Sequence, residues 1–226
     1  MKTIGINIPT VEGGVVCHQE IGREAMRRGI AYPEIITHTI LYAQIKQAVK
    51  TNDFDSLSTV LSDSINRTAK AGADFAIIPS NTPHIVYDET VAKSRIPVLS
   101  ILKVSAEHCA KHGYKRVGIM GTTPTVKRRI YDPLLQERGI ESVYSPDADQ
   151  DFVHDTIQNE LICGIFRDET VDRLVRIAKD LAKQCDAIIL GCTELPLVLN
   201  EENCETKCVD TTRLLSHAAL DVALAQ

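Results

Sequence analysis

One pattern, a buried strand followed by a short polar turn, occurs twice in this chain, about half a chain length apart. The first copy, Asp74–His84, has the sequence DFAIIPSNTPH, and the second, Asp186–Pro196, has the sequence DAIILGCTELP. The strand-like stretches Thr3–Ile6 and Arg116–Ile119 repeat in the same order, and each is followed by a Pro-Thr pair. Two matches in the same order predict a duplication of half the chain rather than an array of short repeats.

Strand and helix patterns alternate along both halves of the chain. This alternation predicts an α/β protein with parallel sheets and helices on their faces. We therefore predict two similar lobes, a first of residues 1–100 plus 209–226 and a second of residues 101–208. Because ligands bind beyond the carboxyl ends of parallel strands, we expect the active site in the cleft between the lobes. The residues that follow predicted strands there are Thr10, Ser80, Thr122 and Cys192.

Composition excludes several classes of protein. The net charge is −5, and no basic cluster beyond residues 127–129 is present, so we expect no nucleic acid partner. No apolar run is long enough to span a bilayer, and the N-terminus leads directly into a strand without a signal peptide pattern. We therefore expect no membrane partner.

The cysteine pattern indicates a reducing compartment. Seven cysteines are scattered along the chain without a CxxC pair, so neither a zinc ribbon nor a thioredoxin-type motif is predicted. Cys204 and Cys208 are four positions apart, which is a weak metal signal without a second pair. We predict a cytoplasmic protein.

Cys192 is the principal candidate for chemistry. Gly191 permits a tight turn after the strand, and Pro196 suits the first turn of a helix. We therefore expect Cys192 above a helix N-terminus, where peptide dipoles lower the pKa of a thiol and can hold a substrate carboxylate. The alternative interpretation is a buried structural cysteine.

Three segments together resemble the aspartate/glutamate racemase family: Pro79–His84, Gly191–Leu195 and the small, hydroxylated turn Gly121–Thr125. The resemblance covers nearly the whole chain. It implies two Rossmann-like lobes and a racemase of acidic amino acids that uses no cofactor. In that family two residues, usually both cysteines, flank the substrate α-carbon, and one removes a proton while the other returns one from the opposite face. Cys192 matches the second position, and Ser80 stands at the first.

The serine at position 80 leaves three explanations. Ser80 works as an acid/base group, aided by His84; or it replaces a cysteine of the natural protein; or Cys192 alone performs one-sided proton chemistry. A serine hydroxyl is a much weaker acid than a thiol, so it needs an activating partner to act as a base.

Polar residues beside the two catalytic candidates are predicted to bind the substrate or to cap helices, since both tasks use the same donors. These residues are Thr10, Asn81, Thr82, Thr122, Thr125 and Thr193. His84 is either a packed histidine or a proton relay, and Glu194 either favours a helix dipole or tunes Cys192.

The function predicted from these residues is interconversion of L- and D-aspartate, or of glutamate, by two-base proton transfer. We expect a small amino acid as the partner, a homodimer as the family resemblance implies, and neither cofactor nor metal. One alternative is a single-cysteine isomerase or decarboxylase of a related dicarboxylic acid. The other is a catalytically impaired relative that only binds dicarboxylates.

Overall fold

A computed structural model describes residues 1–225 of the chain, which divide into two compact units. The first unit consists of Met1–Val104 together with the C-terminal segment from Thr212 onward, and the second consists of Ser105–Thr211. None of the described helices has the length and apolar character needed to cross a membrane.

The first unit is built on a four-stranded parallel sheet in the order β2-β1-β3-β4. Its strands are β1 (Ile4–Ile8), β2 (Ile35–Thr39), β3 (Phe75–Ile77) and β4 (Val98–Leu99). Its helices are α1 (Val11–Arg27), α2 (Tyr42–Thr51), α3 (Phe54–Lys70), α4 (Tyr87–Lys93) and the start of α5 (Ile101–Lys111), with a 3-10 helix at Thr82–Val86. The residues of β1 and β3 are all buried, as expected of central strands covered on both faces.

The second unit has a parallel sheet of the same size, in the order β6-β5-β7-β8. Its strands are β5 (Arg116–Gly121), β6 (Glu141–Val143), β7 (Ala187–Gly191) and β8 (Lys207–Asp210). The helices that follow α5 are α6 (Thr123–Lys127), α7 (Asp132–Gln136), α8 (Asp147–Asn159), α9 (Asp168–Ala182) and α10 (Glu201–Cys204), with 3-10 helices at Leu161–Cys163 and Leu195–Leu197. The last helix, α11 (Thr211–Leu224), belongs to the first unit from Thr212 onward.

The two sheets share one topology, in which the second strand of each unit pairs with the first, and the first with the third. This confirms the predicted α/β fold of two similar lobes related by duplication. The repeated aspartates also make the same contact. Asp74 accepts a hydrogen bond from the backbone N–H of Thr3 at 2.7 Å, and Asp186 accepts two, from Lys115 at 2.6 Å and Arg116 at 2.9 Å. Each aspartate thus ties its strand to the start of the first strand in its own unit.

Helix α11 completes the first unit from the far end of the sequence. Its carbonyl at Ala223 accepts a hydrogen bond from the Lys2 N–H at 2.8 Å. The Ser216 hydroxyl, which is buried, lies 3.2 Å from the Cys17 sulfur on α1. The core of the first unit is therefore built from both ends of the chain.

Candidate functional site

The second motif begins where β7 ends beside β5. Gly121 and Gly191 are the last residues of these strands and lie opposite each other in the parallel register. A Cβ on Gly191 would sit 2.9 Å from the Met120 carbonyl oxygen, and one on Gly121 would sit 3.0 Å from the Gly191 carbonyl oxygen. Only glycine permits this approach of the two strand ends. Thr122 and Cys192 therefore follow neighbouring strands at the carboxyl end of the sheet.

Cys192 is buried and hydrogen-bonded to a carboxylate. Its Sγ donates to Oε2 of Glu194 at 2.9 Å, and the Thr193 hydroxyl donates to the same oxygen at 2.9 Å. The Cys192 residue is 9 % exposed and Glu194 is 1 % exposed. The motif thus places a thiol and a carboxylate in contact, out of bulk water.

The prediction that Cys192 has a lowered pKa is wrong. Burial, followed by the charge of Glu194, raises the pKa of the Cys192 thiol well above its usual value. The element after the cysteine is a 3-10 helix of three residues, Leu195–Leu197, rather than the predicted α-helix. Its dipole is correspondingly small, while a negative carboxylate in contact disfavours the thiolate.

The turn after β5 places two threonines side by side. The hydroxyls of Thr122 and Thr125 lie 3.2 Å apart, and both residues are buried. The Thr122 carbonyl accepts the Val126 N–H at 3.0 Å, so Thr122 begins the short helix α6. This turn follows the strand beside the one that leads to Cys192.

His154 contacts this turn, and the sequence analysis did not predict it. The N–H of Thr123 donates to its Nδ1 at 3.1 Å, and burial lowers the pKa of the His154 imidazole. A neutral ring with Nδ1 as acceptor suits this contact. His154 lies on α8, far along the chain from the turn, so no local motif signals it.

The first motif leads from β3 to a half-buried Ser80. Its N–H donates to the Ile78 carbonyl at 2.8 Å, and a 3-10 helix follows at Thr82–Val86. Within residues 1–225, no hydrogen bond to the Ser80 hydroxyl is found. The neighbouring Asn81 is buried and Thr82 is half-buried. After the adjacent strand, β1, Thr10 precedes α1, and its carbonyl accepts the Gly14 N–H at 3.2 Å.

His84 is a neutral histidine that fixes the backbone of this motif. Nε2 accepts the Ile101 N–H at 3.4 Å, which leaves Nδ1 protonated to donate to the Ser80 carbonyl at 2.9 Å. Burial lowers the pKa of His84 to about 4. The ring stacks on Tyr87 with centroids 5.5 Å apart. His84 therefore holds the Ser80 main chain, and no contact joins it to the Ser80 hydroxyl within residues 1–225.

A group of three potential metal ligands lies elsewhere in the first unit. Glu20 and Glu24 of α1 and His217 of α11 have ligand atoms within 4.8 Å of one another. Arg27 binds both carboxylates, with its Nε 2.8 Å from Glu24, and His217 Nε2 lies 3.0 Å from Glu20. Since a guanidinium already supplies the positive charge, we interpret the group as an ion-pair network that joins α1 to α11.

The chain matches the family described as Asp/Glu/Hydantoin racemase over residues 6–219, and it belongs to that family. It is 25% identical over 177 residues to the broad specificity amino-acid racemase RacX of Bacillus subtilis, covering 76% of this chain and 75% of that protein.

Two solved structures have similar folds over their full length. An aspartate racemase homologue from Pyrococcus horikoshii is 25% identical with a TM-score of 0.85, covering 100% of both chains. A protein from Yersinia pestis, described only as a candidate Asp/Glu racemase, is 28% identical with a TM-score of 0.89, again covering 100% of both chains.

Proposed function

We propose that this chain is a cofactor-independent amino-acid racemase that interconverts L- and D-aspartate, with glutamate as the second substrate to test. Family membership and the full-length likeness to an aspartate racemase homologue support the class of reaction and this order of substrates. The observation on which the mechanism rests is the 2.9 Å hydrogen bond from Cys192 to Glu194.

In this mechanism Cys192 and Glu194 act as a proton-transfer pair. Glu194 accepts the thiol proton, and the resulting thiolate removes the substrate α-proton. Because desolvation disfavours the charged sulfur, this buried thiolate forms rarely, but once formed it is a stronger base than an exposed thiolate. Since the α-proton of an amino acid is a very weak acid, the high thiol pKa suits the task. On the reverse reaction, the Cys192 thiol returns the proton.

Ser80 is the proposed group on the opposite face of the α-carbon. Its hydroxyl has no hydrogen-bond partner within residues 1–225, so it is free to meet a ligand and also lacks an activating base. The proposed donors to the substrate carboxylates are the hydroxyls of Thr10, Thr82, Thr122 and Thr125 and the amide N–H groups of Asn81 and Thr193. Such donors stabilise negative charge that develops next to the α-carboxylate.

The difference between the two residues also supports the alternative in which Cys192 alone transfers the proton. Cys192 has a proton acceptor, whereas Ser80 has none among the described residues. A single thiol is sufficient to protonate a carbanion after decarboxylation of a substituted malonate. Binding of a dicarboxylate without chemistry is the third possibility.

One assay separates these functions. L- and D-aspartate, both glutamate enantiomers and a substituted malonate are incubated with the protein, and products are resolved by chiral chromatography while α-proton exchange is followed by NMR in D₂O. The proposal expects the opposite enantiomer from aspartate. Loss of carbon dioxide from the malonate without racemisation would replace it with the one-sided function. Dicarboxylate binding without exchange would leave only the binding function.

We also propose that the protein acts in the cytoplasm and as a homodimer. The odd number of scattered, free cysteines supports the first, and apolar side chains exposed on α1 support the second.

A further inference from the structure

Two cysteines of the second unit lie together at the turn between α10 and β8. Cys204 is the last residue of α10, and Cys208 is the second residue of β8. Between them, Glu205 has a left-handed backbone with φ of 54°, which turns the chain back on itself. Cys204 is fully buried, whereas Cys208 is half-buried and packs against the same core cluster.

The Cys208 thiol donates to the Thr206 carbonyl at 3.8 Å, within the turn that separates it from Cys204. Interaction between the two side chains lowers the pKa of the Cys204 thiol and raises the pKa of the Cys208 thiol. Cys204 Sγ also lies 3.3 Å from the Asn203 side-chain oxygen. That oxygen accepts the Asn200 N–H at 2.9 Å as part of the capping box of α10. The turn between the two cysteines is therefore itself fixed by side-chain hydrogen bonds.

We propose that Cys204 and Cys208 are a redox-active dithiol that closes to an intramolecular disulfide when the protein meets hydrogen peroxide. One sulfur attacks a peroxide oxygen, the O–O bond breaks, and a sulfenic acid and one water form. The second sulfur displaces the sulfenic oxygen, which leaves as water with the remaining proton, and the S–S bond forms. Both sulfurs are oxidised, and the peroxide is reduced to two waters.

The surroundings favour a reversible role over a structural one. A disulfide gains stability mainly from the length of the loop that it closes, and the loop between these residues is among the shortest a disulfide can close. The half-buried Cys208 gives peroxide and reductants a route to the pair. In β8, Cys208 is paired with Ile188 near the start of β7, whereas Cys192 follows the other end of that strand. Closure therefore leaves the proposed racemase pair unmodified.

Other cysteines lack this arrangement. Cys163 is exposed, and its thiol has no hydrogen-bond partner within residues 1–225. Burial raises the pKa of Cys109 to about 12. Cys185 is half-buried, but its thiol donates to the Leu181 carbonyl at 3.2 Å. Cys185 is therefore a suitable control for a thiol of similar exposure.

The test treats the folded protein with a small excess of hydrogen peroxide, blocks remaining thiols by alkylation and digests with trypsin. Cleavage after Lys207 separates the two cysteines, with Cys204 in peptide 184–207 and Cys208 in peptide 208–213. We expect these peptides to be joined, with fragmentation assigning the bond to Cys204 and Cys208, and to separate after dithiothreitol. Separate peptides with both cysteines alkylated, or with Cys208 oxidised to the sulfinic acid, would overturn the proposal.

Serine variants test whether Cys204 and Cys208 form the link between the two peptides. Cys208→Ser should abolish the joined peptide, while Cys185→Ser should leave its yield unchanged. If Cys185→Ser removes the link, or if peptide 208–213 is joined through Cys185 or Cys192 instead, the assigned pair is wrong. The wild-type measurement needs no variant to fold, so it decides the proposal alone if a serine variant aggregates.

Discussion

The sulfur of Cys192 lies 2.9 Å from a carboxylate oxygen of Glu194, two residues further along the chain, and donates its hydrogen bond to it. The Thr193 hydroxyl binds the same oxygen, so the carboxylate is oriented from two sides. This arrangement gives Glu194 two opposite effects: it disfavours the thiolate at rest, yet it is the group able to receive the thiol proton. The two effects can be separated by mutation.

Glu194→Gln should make Cys192 easier to alkylate and the enzyme slower. The amide removes the negative charge that raises the thiol pKa, so iodoacetamide should modify Cys192 faster at neutral pH. The amide cannot accept the proton, so racemisation should fall by about 10²–10⁴-fold. Peptide mapping and chiral chromatography measure the two rates. Glu202→Gln, an exposed glutamate on α10, is the control and should alter neither rate. A parallel fall in both rates would show that Glu194 only supports the fold.

Ser80→Cys should raise racemase activity by a large factor, because a thiol at this position is a better proton acceptor than a hydroxyl without a base. Cys192→Ser in the same chain should abolish activity. In the wild-type protein, exchange of the α-proton in D₂O should be faster for one enantiomer than for the other. NMR of each enantiomer gives these exchange rates. Unchanged or lower turnover in Ser80→Cys would instead indicate that the serine is adapted to its role.

The buried, neutral His84 should lower the free energy of unfolding in mild acid. Its pKa is about 4 when folded against an ordinary value near 6.5, so the unfolded chain binds the extra proton as the pH falls between these values. The contribution of His84 is fully present above pH 6.5 and is lost progressively towards pH 4, by up to about 3 kcal/mol. Urea unfolding at several pH values measures it.

His84→Gln should flatten that pH dependence relative to the wild-type protein, although it also removes the stacking on Tyr87. His18→Gln is the matched control, since His18 is exposed on α1. Equal slopes for the wild-type protein and His84→Gln would mean that other groups produce the acid sensitivity.

The homodimer prediction can be tested on α1. Val11, Val15 and Met26 are 60 %, 45 % and 60 % exposed and share one face of this helix by its 3.6-residue period. Tyr32 is also exposed and lies over Gly22 of the same helix, where a Cβ would approach its ring to 2.8 Å. Light scattering should give twice the chain mass of 24.9 kDa at micromolar concentration.

Val15→Lys should shift this dimer towards monomer, because it places a charge within an apolar surface. Leu41→Lys, at an exposed leucine before α2, should not. A mass of one chain for the wild-type protein, or equal dissociation by both variants, would reject this face as the contact.

Much of the fold was predictable because it follows local rules. Apolar runs such as Ala187–Gly191 predict buried strands, and their alternation with helices predicts parallel sheets. The repeat of Asp74 at Asp186 indicated the duplication, and the structure gives both residues the same backbone contacts. The sequence pattern alone did not predict that contact, because it depends on which strands become neighbours.

The site was less predictable because it depends on burial. A strand followed by Gly-Cys-Thr-Glu suggested a helix that would lower the thiol pKa, but the chain forms one 3-10 turn and the carboxylate folds against the sulfur. Desolvation is a property of everything packed around a group, so no spacing rule gives its size. His154 was missed for a similar reason, since α8 brings it to the Thr123 N–H from a distant part of the chain.

The place of α11 in the sequence sets an order of events during synthesis. Residues of the second unit are contiguous, so they leave the ribosome together and can fold as soon as β8 has emerged. The first unit, although its sheet is translated first, lacks the helix that covers Cys17 and binds Lys2 until α11 is made. Part of the apolar surface of the first unit therefore stays exposed to solvent while the second unit folds. A ribosome-bound chain that continues after Asp210 into a linker long enough to bring β8 out of the exit tunnel should present a protease-resistant second unit beside a first unit that is still cleavable.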